Sequence, residues 1–232
     1  MNVKNVDRRL TLPNVHEKDL ILDVGGGLGL DALIISYFKL ANYCVVVDVS
    51  FLPLKMGKVL SKRLKIKDKV DYICADAKFL PFRDKTYDMV TSFLAIEHEH
   101  IKKEYQRWIN EMARVLKVGG FFIITFSNRK WIFYPLAKLH SYFVKKYFKT
   151  FTEHFFERSE IEAQLIKNKV SIKSFDGGVV YFRSYSPIPL SISFLVLKFN
   201  EKLESLASIL EWKFLIIRKV CGRIGLVGVK EK

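Results

Sequence analysis

Glycines and one carboxylate near the start of the chain have the spacing of a nucleotide site. Asp23, Gly25, Gly27 and Gly29 alternate within DVGGGLG, which follows a short apolar run and precedes apolar residues at helical spacing. Glycines at a strand-to-helix turn let a ligand approach bare backbone N–H groups, where the helix dipole favours negative charge or a polar nucleotide edge. The pattern therefore predicts a ligand-binding turn between a strand and a helix.

Two further acids follow the next two apolar runs. Asp48 comes 19 residues after Gly29, close to the roughly 20 residues typical of an acid that accepts hydrogen bonds from ribose hydroxyls. Asp76 follows the third run in the same way. Because open parallel sheets bind ligands beyond the carboxyl ends of their strands, the three acids predict an adenosine cofactor across strands one to three. The alternative is that these acids only cap helices.

The elements that would position these residues alternate between strand and helix. Strands are predicted at 20–24, 43–47, 70–74, 87–93, 121–126, 170–175 and 222–229. Helices are predicted at 28–41, 50–65 and 102–116, the last stopped by Gly119 and Gly120, and a capping box of Ser159 and Glu162 predicts another. Apolar strands in this alternation predict an α/β fold, with a mainly parallel seven-stranded sheet flanked by helices.

Charge and composition limit the possible partners, the role of the cysteines and the location of the protein. The 232 residues include 39 Lys and Arg against 24 Asp and Glu, a net charge of +15, and residues 129–232 carry +10 of it. A basic surface attracts nucleic acid, an anionic membrane or an acidic substrate, and a solvated surface is the alternative. Three separated cysteines suggest neither disulfides nor zinc, and Cys44 and Cys74 are expected in the core. We expect a cytoplasmic protein, possibly peripheral on a membrane, because neither a signal peptide nor a membrane span is apparent.

At the glycine turn the sequence resembles the class I S-adenosylmethionine-dependent methyltransferases. Leu30 stands where a dinucleotide fingerprint requires its third glycine, which disfavours an NAD-linked oxidoreductase. The resemblance extends through CADAKFLPFRDKTYDMVTSFLAIEHE and EMARVLKVGGFFIITFSN, similar to blocks of the broad family that includes quinone and sterol methyltransferases. It implies a Rossmann-like sheet with an antiparallel last strand, S-adenosyl-L-methionine as cofactor, and methyl transfer by direct displacement. It also implies one domain over 1–232, with an entry segment (1–19), a cofactor-binding core (20–128) and substrate-cover elements (129–232). The sequence shows no metal-ligand spacing, so no metal is expected.

The resemblance also implies roles for single residues. The methionine moiety of the cofactor would lie against the turn, with Asp48 on the ribose hydroxyls and Asp76 on the adenine amino group. Val49 would pack on the adenine, and Phe93 with Leu94 would border the sulfonium. The cofactor-binding residues predicted in this way are Asp23, Gly25, Gly27, Gly29, Asp48, Val49, Asp76, Ala77 and Phe93.

Three titratable residues follow the fourth strand, where an acceptor would enter. Glu97, His98 and His100 are candidates for a general base, needed only if the nucleophile must lose a proton. We select Glu97 and His98 as the catalytic pair; the alternative is that they position substrate or bond to the backbone. His154 has no convergent partner in the sequence and is expected to be structural.

The acceptor is expected to be a small molecule or lipid, apolar or aromatic. The aromatic, basic segment 129–149 and a long insertion at 179–220, helical over 200–220, would cover it. Segment 189–219 could instead lie on an anionic membrane or form a dimer face, so the protein would be a monomer or homodimer. A nucleic-acid-binding or -modifying protein is the alternative function, because basic and aromatic residues alternate in this part. It is less favoured, since Ser92-Phe93-Leu94-Ala95 replaces the tetrad expected for amino-group methylation of bases.

Overall fold

The computed structural model describes residues 10–99, 101–131, 134–135, 138–139, 141–142, 153–178 and 222–232. Its strands are β1 (Leu20–Val24), β2 (Tyr43–Asp48), β3 (Val70–Cys74), β4 (Tyr87–Phe93), β5 (Leu116–Ser127), β6 (Val170–Gly178) and β7 (Arg223–Lys230). They form one sheet in the order β3-β2-β1-β4-β5-β7-β6, parallel from β3 to β5, with β7 antiparallel to both of its neighbours. The predicted seven-stranded sheet with an antiparallel last strand is confirmed. The insertion expected at 179–220 lies outside the described residues.

Helices cover both faces of this sheet. They are α1 (Leu30–Tyr37), α2 (Phe51–Arg63), α3 (Tyr105–Val115) and α4 (Arg158–Lys167), with short 3-10 helices at Leu12–Asn14, Ile96–His98 and Lys102–Glu104. One buried cluster joins the sheet to α3 and α4 through Ile109 and Leu165. A second joins the opposite face to α1 and α2 through Ile35 and Leu54. None of the described helices is long and apolar enough to cross a membrane.

The helices are shorter than the predicted 28–41, 50–65 and 102–116, and two of the differences concern glycines. α1 begins at Leu30, because Gly29 caps it in the left-handed conformation (φ 68°), and not at residue 28. The predicted stop of α3 at Gly119 and Gly120 is wrong, since the helix ends at Val115 and β5 begins directly at Leu116. Both glycines lie within β5, where Gly119 has φ 81° and a Cβ on Gly120 would lie 2.7 Å from the Asp88 carbonyl oxygen.

The capping box of α4 was predicted two residues too late. Glu157 is the N-cap, and its side chain and that of Glu160 form the reciprocal pair, in place of Ser159 and Glu162. The reason lies upstream, where buried Phe156 forms a bridge with Asn128 beyond the end of β5. This bridge keeps the chain extended up to Glu157, and the helix starts at the next residue.

The cysteines divide between core and surface. Cys44 is buried as predicted, and burial raises the pKa of its thiol to about 12. Cys74 is exposed, contrary to the prediction, because it ends β3, an edge strand of the sheet.

Candidate functional site

A cavity of about 420 Å³ opens at the carboxyl ends of the central parallel strands. This volume is in the range of small-molecule and cofactor sites. The cavity contains several of the predicted residues and some unpredicted ones. Its lining consists of Gly25, Val47, Asp48, Val49, Ser50, Ala75, Asp76, Ala77, Lys78, Leu94, Ala95, His98, Glu99 and Trp108.

The turn after β1 is fixed against the end of β2. The N–H groups of Gly25 and Gly26 donate to the carbonyl of Val47, at 2.7 and 3.1 Å. Gly25 has φ 71°, and a Cβ on it would lie 2.5 Å from Ala95 Cβ and 3.0 Å from the ring of Trp108. Position 25 therefore admits only glycine, and its bare backbone lets the elements after β1 and β4 approach closely enough to form one wall.

Asp48 is the last residue of β2, and backbone donors orient its carboxylate. Gly27 N–H donates to Oδ2 at 2.9 Å, and Ser50 N–H donates to Oδ1 at 2.8 Å. Each carboxylate oxygen has a second lone pair, so the group can accept two more hydrogen bonds from a ligand. This geometry suits a pair of neighbouring hydroxyl groups, which is what a ribose presents.

An ion-pair cluster lies at the part of the cavity beyond β3. Asp76 Oδ1 accepts from Lys78 N–H at 2.9 Å, and the Lys78 ammonium lies 3.1 Å from Glu99 Oε1 and 3.6 Å from Asp76 Oδ2. Burial lowers the pKa of Lys78, but the hydrogen bond and charge of Glu99, helped by Asp76, raise it above its usual value. The lysine thus stays charged and ties the segment after β3 to the segment after β4.

Four predicted cofactor-binding residues do not line this cavity: Asp23 in β1, Gly27 and Gly29 in the turn, and Phe93 at the end of β4. Asp23 is buried within β1 and accepts from Thr91 Oγ1 at 3.0 Å. Gly29 packs against Val46, and Gly27 presents its N–H to Asp48. These contacts fix the conformation of the turn, and a direct contact of these residues with a cofactor stays a prediction.

Phe93 and Leu94, consecutive residues at the end of β4, have different surroundings. Phe93 packs against the core cluster under α1 and α2, whereas Leu94 and Ala95 line the cavity. Leu94 has a left-handed backbone (φ 48°), uncommon for a branched residue, and its N–H donates to the carbonyl of Thr125 at 3.0 Å. Unusual backbone conformations of this kind concentrate at functional sites. The predicted cofactor contact of Phe93 stays a prediction.

The two candidate catalytic residues occupy different surroundings. Glu97 is fully buried, accepts from Ser127 Oγ at 2.9 Å, and is not part of the cavity lining, whereas its neighbour His98 is. The carbonyl of Glu97 accepts from the backbone N–H of His154 at 2.8 Å, a main-chain contact compatible with the structural role expected for His154. His100 lies outside the described residues. Within the described ranges, no three His, Cys, Asp or Glu side chains converge as metal ligands do.

Sequence reasoning missed Lys78, Glu99 and Trp108 as members of the site. Helical spacing places Trp108 on the buried face of α3, but periodicity cannot tell a core position from a cavity wall. Lys78 and Glu99 stand close in sequence to Asp76 and His98, which was the only available signal.

Residues 22–124 match the sequence family described as a methyltransferase domain. An uncharacterised protein of Methanocaldococcus jannaschii is 34% identical over 137 residues, which are 57% of this chain and 48% of that protein. The ubiquinone/menaquinone biosynthesis C-methyltransferase UbiE of Cronobacter sakazakii is 33% identical over 128 residues, 54% of this chain and 49% of UbiE. The chain thus spans about half the length of these curated relatives.

The fold is shared over nearly the whole chain. A solved structure of an S-adenosylmethionine-dependent methyltransferase from Methanosarcina mazei has a TM-score of 0.68 at 17% identity, covering 94% of this chain and 95% of the other. At this identity the likeness shows the architecture alone.

Proposed function

We propose that this chain is a class I S-adenosylmethionine-dependent methyltransferase, and that it transfers the methyl group of S-adenosyl-L-methionine to a small apolar or aromatic acceptor. One observation carries the proposal. A single cavity combines the carboxylates of Asp48 and Asp76 with the bare backbone of Gly25. By the family resemblance, these are the groups expected to contact the ribose, the adenine and the methionine moiety of that cofactor.

The chain's own residues would bind and orient. Asp48, fixed by Gly27 and Ser50, would accept from the ribose hydroxyls, and Asp76 from the adenine amino group. The bound cofactor supplies an electrophilic methyl group, so the protein's task is alignment and the exclusion of water. The lining by Leu94, Ala95 and Trp108, on the side near Gly25, would exclude water from the methyl group.

The charge of the cavity supports a cationic ligand. The described lining residues include three acids, Asp48, Asp76 and Glu99, and one fixed cation, Lys78, although the whole chain carries +15. An acidic cavity in a basic protein attracts a ligand with a positive centre, such as a sulfonium, by its local field.

Two arguments support an apolar or aromatic acceptor. The cavity wall nearest Gly25 is formed by the apolar side chains of Ala95 and Trp108. The relative UbiE is named as a C-methyltransferase of ubiquinone/menaquinone biosynthesis. Most of the segments expected to cover the acceptor lie outside the described residues. Neither the described residues nor the comparisons favour the nucleic-acid alternative.

His98 and Glu97 would have different roles, one as a proton acceptor and the other as a positioning residue. His98 lines the cavity and is the member of the pair placed to accept a proton from an acceptor. Glu97, bonded to Ser127 and to the backbone of His154, would fix the position of His98 by joining the exits of β4 and β5. We propose His98 as the base where the chemistry needs one, with Glu97 as its positioning residue.

The test measures binding and transfer separately. Calorimetry with S-adenosylmethionine and S-adenosylhomocysteine should show binding of both, and tritium from the labelled methyl group should pass to a prenylated hydroquinone. The unprenylated hydroquinone serves as the polar control. A protein that binds neither cofactor form contradicts the methyltransferase assignment; binding with equal transfer to both hydroquinones contradicts the apolar acceptor only.

A further inference from the structure

The outer face of α2 combines exposed apolar side chains with lysines. Leu52, Met56 and Val59, spaced by four and three residues, are 66%, 52% and 45% exposed. The buried side of the helix is formed by Leu54, Gly57 and Ser61. At about 100° per residue the exposed apolar strip lies opposite the buried one, so it points directly away from the core.

A second strip, formed by Lys55, Lys58 and Lys62, runs beside the apolar one. α2 contains no acidic residue, Arg63 adds a further cation, and the ion pairs of the described residues all involve other cations. Single exposed apolar residues are common on the surfaces of soluble proteins, but several of them in one strip at helical spacing indicate an interaction surface.

Helix α2 cannot rotate to bury this strip, because its inner face is closely packed. A Cβ on Gly57 would lie 2.4 Å from the Leu28 carbonyl oxygen and from the ring of Tyr72, so the inner face is in close contact with the glycine turn and with β3. Phe51, 66% exposed at the first position of the helix, adds an aromatic side chain to the outer surface.

From these observations we infer that α2 docks the protein on an anionic lipid surface, with Leu52, Met56 and Val59 at the acyl boundary and the lysines on the headgroups. A convex helix face that pairs an apolar strip with cations is the pattern of interfacial helices. A second copy of this chain fits the face less well, because an isologous contact would place lysines against lysines in a protein of charge +15. Val49 and Ser50, which precede α2, line the cavity, so docking would place the cavity beside the membrane.

The test is co-sedimentation with vesicles of phosphatidylcholine, alone or mixed with phosphatidylglycerol. We expect binding to the mixed vesicles, weak binding to phosphatidylcholine alone, and loss of binding as salt is raised. Replacing the three lysines (Lys55→Gln, Lys58→Gln, Lys62→Gln) should weaken binding about a hundredfold. Replacing the apolar strip (Leu52→Ser, Met56→Ser, Val59→Ser) should weaken it about tenfold at unchanged charge.

The matched control removes the same charge elsewhere. Lys103, Lys167 and Lys232 are exposed outside α2, and their replacement by Gln should leave vesicle binding within about twofold of the wild type. Thermal unfolding of each variant verifies folding, and the two α2 variants test the surface independently.

Three results would overturn the inference. The first is that the wild-type protein does not sediment with anionic vesicles. The second is that both α2 variants bind these vesicles as strongly as the wild type does, since a different basic surface would then be responsible. A fall in solution mass from dimer to monomer in the apolar-strip variant, measured by light scattering, would assign the face to a second copy.

Discussion

The two edges of the sheet use carboxylates in opposite ways. At the carboxyl edge, Asp48 accepts two backbone N–H groups and keeps lone pairs on the side of a cavity. At the amino edge, Glu111 and Asp84 surround Arg114, whose guanidinium donates to both carboxylates and to the carbonyls of Leu80 and Phe82. All five donors of this guanidinium have acceptors, so Arg114 has no donor left for a ligand.

The two edges differ in how far hydrogen-bond partners within the protein occupy the polar groups of each cluster. At the amino edge the loop before β4 folds over Arg114, and Lys85 and Thr86 donate to the carbonyls of Arg114 and Val115. At the carboxyl edge, Gly27 N–H and Ser50 N–H each occupy only one lone pair of an Asp48 oxygen. Substitutions at the carboxyl edge should therefore affect ligand binding, and those at the amino edge should affect stability.

The largest contrast is expected between two glycines with left-handed backbones. Gly25→Ala should cost more than about 3 kcal/mol of folding free energy and abolish detectable S-adenosylmethionine binding, because its Cβ would collide with Ala95 and Trp108. Gly119→Ala, with nothing within 4 Å of its Cβ, should cost only about 1 kcal/mol and leave binding unchanged. Chemical denaturation and calorimetry on both variants measure this, and equal costs would refute the steric argument.

Asp48→Asn should lower the affinity for S-adenosylmethionine about 30- to 100-fold, because it removes the charge that strengthens hydrogen bonds from the ribose. Asp68→Asn, an exposed loop acid, is the charge-matched control and should bind as the wild type does. Calorimetry measures both. Unchanged affinity in Asp48→Asn would remove this residue from the site.

Arg114→Met should show the opposite pattern. It leaves Glu111 and two loop carbonyls without their donors, at a cost of about 2–3 kcal/mol, and lowers Tm by about 4–12 °C. The affinity for S-adenosylmethionine should stay within about twofold of the wild type. Thermal unfolding measures the change in Tm, and calorimetry measures the affinity. A loss of affinity without a loss of stability would contradict the prediction, because it would show that the amino edge of the sheet affects the binding site.

The smallest expected effect is one of pH. The hydrogen bond from Arg114 lowers the pKa of Glu111 below its ordinary value of 4.5, in spite of partial burial. A depressed carboxyl pKa stabilises the folded state at pH values above 4.5, and this contribution is lost as the pH falls through the lower, folded-state value. Glu111→Gln should therefore flatten the acid side of the unfolding free energy against pH, measured by urea titrations. An unchanged slope would contradict the stabilising role of the pair.

The strand pattern and the glycine turn were predictable because both depend on local sequence. Apolar runs fixed β1 to β4 almost to the residue, and Asp48 and Asp76 are on the cavity because parallel strands end at one edge. Contacts between distant segments were not predictable. The capping box at Glu157 depends on the bridge between Asn128 and Phe156, and the buried position of Glu97 depends on Ser127, 30 residues along the chain.

Trp108 and Leu94 show the same limit at the site. The spacing of α3 predicted a buried Trp108, but only the glycine at position 25 makes that ring part of the cavity wall. The left-handed backbone of Leu94 has no signal in its residue type, because a leucine adopts it only when the surrounding structure imposes it.

The strand order has a consequence for how the protein is made. β7 lies between β5 and β6 in the sheet although it follows both in sequence, and it pairs with β5 along residues 121–127. Until the ribosome has released residues 223–230, β5 has no partner on one side and β6 cannot join the sheet. A nascent chain that stalls before this point would expose the apolar edge of β5, so we expect chaperone dependence and aggregation to concentrate in the period before residues 223–230 emerge.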